Sequence, residues 1–554
     1  MIRRPLIASL ALLSTTAGFA KRHEEAPAPV AATTPAAPKL VIAISVDQFS
    51  ADLFDEYRSS FTGGLKRLAS QGITFSNGYQ SHAATETCPG HSTILTGDHP
   101  TRTGIIANNW VDLDAKRDDK GIYCSEDESV KGTDSKNYTV SAVHLKVPTL
   151  GERLKTLNPA TRVVSIAGKD RAVIMMGGHK IDEAWWWTSR NNLYQFTSFD
   201  GKTPPAAVAA ANAKLVDMVK AGYSYPLPEA CKARIAPIQF GDRTIGIARP
   251  DVKAGDPAAG AGLYTHPALD AATLDAALGL ITDMKLGQGA APDVLAIGLS
   301  VTDPVGHAFG TEGPEMCAQL YGLDASLGAF LDKLDATGVN YVIALTADHG
   351  GSDIPERKDA PKGSARLDDS IRPVRLDIAV GNQLNIATKA VYGDNSDGAG
   401  NIYIAHDLPE ATRVKVAEVV KKEAMASPFV YAVYSRAEIL AAPKPSGPLS
   451  DWTIIQPIAA SYDPVRSGDL YIVPKERVMP LSDTSGSVMA HGSVWNYDRR
   501  VPIIFFGKGL APANKADQIE TVDIMPTFAS MVGLKLADGD VDGKCLSAVA
   551  ACAK

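Results

Sequence analysis

The chain alternates between short, nearly unbroken apolar runs and longer stretches with helical spacing. "KLVIAISVD" (39–47) is an apolar, β-rich run that ends at Asp47. "GGLKRLASQG" (63–72) then places Leu65, Leu68 and Ala69 on one helical face, with Gly72 as a stop. Strand-like runs recur in "TRVVSIAGKDR" (161–171), "DVLAIGLSVTD" (293–303), "NYVIALTADHGG" (340–351) and, as the last of them, "VPIIFFG" (501–507). Residues 314–337 carry Leu320, Leu323, Leu327, Leu331 and Leu334 as a helical stripe, closed by Gly338. This alternation predicts an α/β fold with a mostly parallel central sheet flanked by helices.

Two long segments fit the alternation poorly. Residues 110–290 hold loops, "AWWWTSR" and alanine-rich helical stretches, and residues 352–490 mix the helix "ATRVKVAEVVKKEAM" with short strands. Both are expected to be insertions that cap the core, within one catalytic domain spanning 39–554. The first 20 residues, "MIRRPLIASLALLSTTAGFA", have two arginines, a short apolar run and small residues at Gly18 and Ala20. That is the layout of a secretory signal, and the run is too short for a comfortable membrane span. Residues 21–38 are Pro/Ala-rich and read as a spacer. The expected location is therefore periplasmic or secreted.

Export changes the meaning of the six cysteines. An even number in an oxidising compartment predicts disulfides. Proximity along the chain suggests Cys88 with Cys124, Cys231 with Cys317, and Cys545 with Cys552. A formal charge of −7 with no basic run argues against nucleic acid as a partner.

Several strand-like runs end in acidic, basic or imidazole side chains. In open α/β sheets, ligands bind beyond the carboxyl ends of the strands. "VTDPVGHAFG" sets Asp303 and His307 four residues apart, which one helical turn would bring to one side. "TADHGG" puts Asp348 and His349 at a strand end before two glycines that permit close backbone approach. His491 in "VMAHGSVWNYD" and Asp47 complete three carboxylates and three imidazoles, enough for two zinc ions with open positions. Two such ions can clamp the attacking and leaving oxygens of phosphoryl or sulfuryl transfer.

"ATETCPGHSTILTG" (84–97) offers the nucleophile. Pro89 suits the first turn of a helix, so Thr87 and Cys88 would lie at its positive end, where backbone N–H groups favour an anionic oxygen. The residue types alone leave Thr85, Thr87 and Cys88 open. An exported thiol tends to oxidise, which counts against Cys88.

"TCPGHSTILTG" resembles the nucleophile motif of the phosphodiesterase/nucleotide pyrophosphatase branch of the alkaline phosphatase superfamily. The motifs "GIIANNW", "DPVGH", "ADHGG", "HGS", "RRVPIIFFG" and "TVDIMPTFASMVGL" follow in that family's order, covering about 39–545. The resemblance implies an alkaline-phosphatase-like core with Thr87 as nucleophile. It implies one zinc on Asp303, His307 and His491, and another on Asp47, Asp348, His349 and the Thr87 oxygen. His91 and Ser92 then read as helix start and packing.

"AGKDRA" supplies Lys169 and Arg171, which would point to one side if they alternate along a strand end. The pair resembles the Lys-x-Arg of PafA-type bacterial alkaline phosphatases, and Asn108 in "ANNW" matches their phosphoryl-binding asparagine better than Asn109. Extra cationic donors suit a monoester, whose non-bridging oxygens carry more charge than a diester's. The resemblance thus implies an enzyme that hydrolyses small phosphate monoesters through a phosphothreonine. A phosphodiesterase of the same fold is the alternative, and a non-catalytic metal or phosphate-binding protein a remote one. "CPGHS" lacks the arginine of a sulfatase motif. Structural calcium is a further candidate, from the spaced carboxylates of "GDNSDGAGN" (393–401) and "DGDVDGK" (538–544).

Overall fold

The structure, a computed structural model, describes residues 37–189, 193–394 and 399–552. The signal and spacer expected at 1–20 and 21–38 lie outside them, apart from residues 37 and 38. Nine strands form the central sheet: β1 (Leu40–Val46), β2 (Ile73–Tyr79), β3 (Val163–Ala167), β4 (Glu183–Thr188), β5 (Gln195–Thr197), β6 (Asp293–Leu299), β7 (Tyr341–Thr346), β8 (Arg500–Gly507) and β9 (Ala513–Glu520). Their order is β9-β2-β8-β7-β1-β6-β3-β4-β5.

The central run β7-β1-β6-β3-β4 is parallel throughout. β8 runs antiparallel to both its neighbours, and β5 antiparallel to β4. Every residue of β1, β3, β6 and β7 is buried, because helices cover both faces of a parallel sheet. The four strands whose ends carry the candidate ligands and cations are thus adjacent, and their carboxyl ends open onto one place.

The helical stripe at 314–337 is the helix Pro314–Ala336, with Leu320, Leu323, Leu327, Leu331 and Leu334 all buried against the sheet core. Two expectations need correction. "VPIIFFG" is not the last strand, since β9 follows it. β9 is an edge strand, half-buried and rich in polar residues, so it carries no apolar run to read. Nor is 110–290 only a cap, because it supplies β3, β4 and β5 to the central sheet. β3 lies in the run already read as a strand, while β4 and β5, six and three residues long, are too short for periodicity to separate from loops.

Within 352–490, four strands (Val391–Gly393, Gly400–Ile404, Leu470–Pro474 and Val430–Ser435, in that spatial order) form a second, antiparallel sheet. Helices Pro373–Leu384 and Glu410–Ala426 pack on it around a separate core that includes Val391, Ile402, Val416, Val420 and Ile472. The three disulfides are Cys88–Cys124, Cys231–Cys317 and Cys545–Cys552, the pairing expected from proximity. Among the described residues no helix is long and apolar enough to cross a membrane.

Candidate metal and phosphate centre

Asp47 follows β1 directly, and Asp348 and His349 follow β7. Beyond β6 the chain turns into helix α3 (Thr302–Phe309), which carries Asp303 in its first turn and His307 in its last. One helical turn brings His307 Nε2 to 3.3 Å from Asp303 Oδ1, and His491 Nε2 reaches the same oxygen at 3.3 Å. On the other side His349 Nε2 stands 3.5 Å from Asp47 Oδ1 and 3.5 Å from Asp348 Oδ2. Asp303, His349 and His491 also gather within 4.8 Å, as do Asp47, Asp348 and His349. His349 thus lies between the two clusters.

The donor set fits divalent cations. Each histidine has its Nδ1 bonded to a backbone carbonyl: His307 to Met489 at 2.7 Å, His349 to Gly350 at 2.9 Å, His491 to Thr85 at 2.8 Å. The proton must sit on Nδ1 for that bond, which leaves each Nε2 lone pair facing the cluster. Asp47 Oδ1 and His349 Nε2 are buried without a hydrogen-bond partner, an arrangement that is costly unless a cation answers it.

The electrostatics follow from burial and crowding. Burial and then the Asp348 charge hold the Asp47 carboxyl well above the usual range. Burial would raise Asp303 too, but the Lys169 ammonium together with His307 and His491 outweighs it and holds the carboxyl well below the usual range. Burial lowers His349 to about 3, against the pull of Asp348, so the imidazole is neutral as a ligand requires.

Thr87 is the first residue of helix α1 (Thr87–Thr96), buried at its N-terminus. α1 approaches the β7 loop so closely that a Cβ on Gly90 would collide with the carbonyl oxygen of Asp348. Thr85 is turned away, its hydroxyl donating to the Ser493 carbonyl at 2.8 Å. Cys88 is closed off by its disulfide with Cys124. Geometry thus separates the three candidates that residue types left open.

Lys169 Nζ lies 3.4 Å and Arg171 Nη2 3.3 Å from Thr87 Oγ1. Lys169 also contacts Asp47 and Asp303, at 2.6 Å each. The pair does share a side, but not by strand alternation. β3 ends at Ala167, Lys169 precedes helix α2 (Asp170–Gly177), and Arg171 lies in its first turn. Asn108 Oδ1 accepts the Cys88 N–H at 2.8 Å, which leaves the amide NH₂ of Asn108 as donor, whereas Asn109 is exposed. With the Cys88 N–H taken and Pro89 lacking one, the start of α1 offers an anion fewer backbone donors than expected.

Further residues complete the centre. Gln48 adopts φ 62°, uncommon for a non-glycine, and ties the clusters together. Its N–H donates to Asp348 Oδ1 at 3.1 Å and its Nε2 to Asp303 Oδ1 at 3.1 Å. A Cβ on Gly306 would strike the Gln48 amide, so glycine is needed there. His91, expected only to pack, places Nδ1 3.1 Å from Asp348 Oδ2 and 2.9 Å from the Thr87 carbonyl. Its place within the nucleophile motif is the signal the sequence gives. Of the two calcium candidates, 538–544 is a turn whose Asp542 is committed to His99 and Arg102. In 393–401, Asp394 accepts from Asn401, and 395–398 lie outside the described residues.

A mostly parallel sheet with carboxylates, imidazoles and a helix-start threonine beyond its strand ends is the architecture of the alkaline phosphatase fold. The solved structure of alkaline phosphatase PafA superposes with a TM-score of 0.79 at 26% identity, covering 93% of this chain and 99% of that one. Residues 41–494 match the type I phosphodiesterase / nucleotide pyrophosphatase family, and the chain belongs to it. It is 49% identical over 525 residues to alkaline phosphatase PhoK of Sphingomonas sp, covering 94% of this chain and 92% of that protein. It is 44% identical to alkaline phosphatase PhoD of Zymomonas mobilis subsp. mobilis, covering 92% and 88%.

Proposed function

We propose that the protein is an alkaline phosphatase that hydrolyses small phosphate monoesters through a phosphothreonine at Thr87. The observation that carries this is the pair of cations, Lys169 and Arg171, within 3.4 Å of a buried threonine hydroxyl at a helix N-terminus. The similarity to PhoK and PhoD supports the same reading.

Two divalent cations, zinc by the resemblance of the motifs, would be held by Asp303, His307 and His491 and by Asp47, Asp348, His349 and the Thr87 oxygen, and would supply the charge that acidifies the Thr87 hydroxyl and stabilises the leaving oxygen. The Thr87 hydroxyl gives its proton to solvent as Oγ1 attacks phosphorus, its bond to phosphorus forming as the ester P–O bond breaks, and the departing alkoxide takes a proton from water. Water then attacks the phosphothreonine, and phosphate leaves as Thr87 recovers its proton. Lys169, Arg171 and the Asn108 amide oppose the charge on the non-bridging oxygens in both steps. The helix start adds its positive dipole end.

The test is acid quenching during turnover of a radiolabelled monoester. Label on Thr87 in the wild type, absent in Thr87→Ala, supports the reading. Full turnover with no label on the protein contradicts it. Export to the periplasm or beyond the cell is part of the same proposal, supported by the three disulfides.

A further inference from the structure

Lys169 is paired with two carboxylates, yet the guanidinium of Arg171, which has a carboxylate as its sequence neighbour, bonds to other groups. Asp170 is otherwise engaged. Its Oδ1 accepts from the Tyr123 hydroxyl at 2.7 Å and from the Arg171 backbone N–H at 2.7 Å, and its Oδ2 accepts from the Tyr138 hydroxyl at 2.7 Å. The hydrogen-bond partners of the guanidinium are neutral oxygens, Thr87 Oγ1 on Nη2 and the Tyr123 hydroxyl on Nη1 at 3.4 Å.

We propose that Tyr123, helped by Tyr138, is a positioning residue that occupies the Asp170 carboxylate and so keeps Arg171 free for the doubly charged phosphoryl group. This rests on the phosphatase reading above. A phenol has one proton; Tyr123 donates it to Asp170, so the oxygen that faces Arg171 presents lone pairs and aims the guanidinium at Thr87. An arginine locked to a carboxylate would bring no net charge to the substrate, whereas one held by a neutral acceptor keeps its full charge. Burial, then the Asp170 charge, pushes the Tyr123 hydroxyl up to about 12, so it continues to donate in alkaline solution.

The chain also fixes where Tyr123 stands. It ends the strand Gly121–Tyr123, which pairs with Asn109–Val111 next to Asn108. The following residue, Cys124, is bonded to Cys88, the neighbour of Thr87. Nucleophile, asparagine and tyrosine are thereby tied in one unit.

The test uses metal-loaded enzyme with p-nitrophenyl phosphate and bis-p-nitrophenyl phosphate. In Tyr123→Phe, Asp170 is released to pair with Arg171. The expected result is a loss in monoester kcat/KM on the order of 10- to 100-fold, the range for a hydrogen bond to a charged group. Diester kcat/KM should change little, and inhibition by inorganic phosphate should weaken in parallel. Adding Asp170→Asn should restore most of the monoester activity, because a neutral amide cannot capture the guanidinium. Tyr123→Phe in an Arg171→Ala background should cost nothing further. Tyr138→Phe, a second variant, should show the same pattern in smaller degree.

Equal losses on both esters, additive losses with Arg171→Ala, or no rescue by Asp170→Asn would each overturn the proposal. A wild type without monoester preference removes the phosphatase reading and this one with it. A wild-type preference that Tyr123→Phe leaves undiminished removes this one alone.

Discussion

The imidazoles of His349 and His491 stack, with ring centroids 3.8 Å apart and planes 19° from parallel. One follows strand β7 and the other lies in the loop before β8, so residues more than 140 apart in sequence meet face to face. Two imidazolium rings could not share that contact without strong repulsion, and burial already disfavours a proton on His349. Neutral rings with Nδ1 protonated are what cation ligands require.

Metal content should therefore track these side chains. Elemental analysis should find two zinc ions per wild-type chain and about one in His491→Ala, with a chelator abolishing turnover and added zinc restoring it. Full activity after exhaustive chelation would remove the metal assignment.

The Cys88–Cys124 disulfide closes a 36-residue separation beside the nucleophile. Replacing both cysteines with serine should cost about 4 kcal/mol of stability, by the loop-closure entropy of a loop this long. It should also lower monoester kcat/KM, because Tyr123 and Asn108 lose their tie to Thr87. Chemical denaturation and steady-state kinetics on the same preparation check both. A double variant with wild-type kcat/KM would show that the disulfide only stabilises.

His99 links the segment after α1 to the C-terminal tail. Its Nε2 lies 2.9 Å from Glu520 and its Nδ1 3.1 Å from Asp542. Burial would lower its pKa, but Asp542 and Glu520 outweigh burial and push it up to about 10. A folded-state value above the unfolded 6.5 gives stability that is fully present below about pH 6.5 and lost as pH rises through about 10. Thermal midpoints measured from pH 6 to 10.5 should fall toward the alkaline end, and fall less in His99→Gln. Parallel curves for the two proteins would contradict this.

How much of this the sequence revealed depended on the kind of signal each residue leaves. Asp47, Asp303, Asp348 and His349 were legible because unbroken apolar runs stop there, and a parallel sheet delivers all such stops to one edge. His491 sits in an irregular loop, so it was marked only as a histidine beside a glycine in a His-poor chain, and its place in the motif order added to that. Lys169 and Arg171 were found, but by the wrong geometry, since the turn from β3 into α2 replaces strand alternation. Gln48, Tyr123 and Asp170 left no mark. Their roles arise from contacts between segments far apart in the chain, and a glutamine or tyrosine has no spacing that distinguishes such a contact from ordinary packing. β9 and the short strands β4 and β5 were missed for a related reason, because edge and very short strands need little apolar patterning.

The central claim is that Lys169 and Arg171 make this a monoesterase. The most direct measurement is kcat/KM for p-nitrophenyl phosphate and bis-p-nitrophenyl phosphate, on zinc-loaded wild type, Lys169→Ala and Arg171→Ala. The wild type should strongly prefer the monoester, with each substitution costing on the order of 10²-fold on it and much less on the diester. A wild-type preference for the diester, or equal losses on both esters, would contradict it.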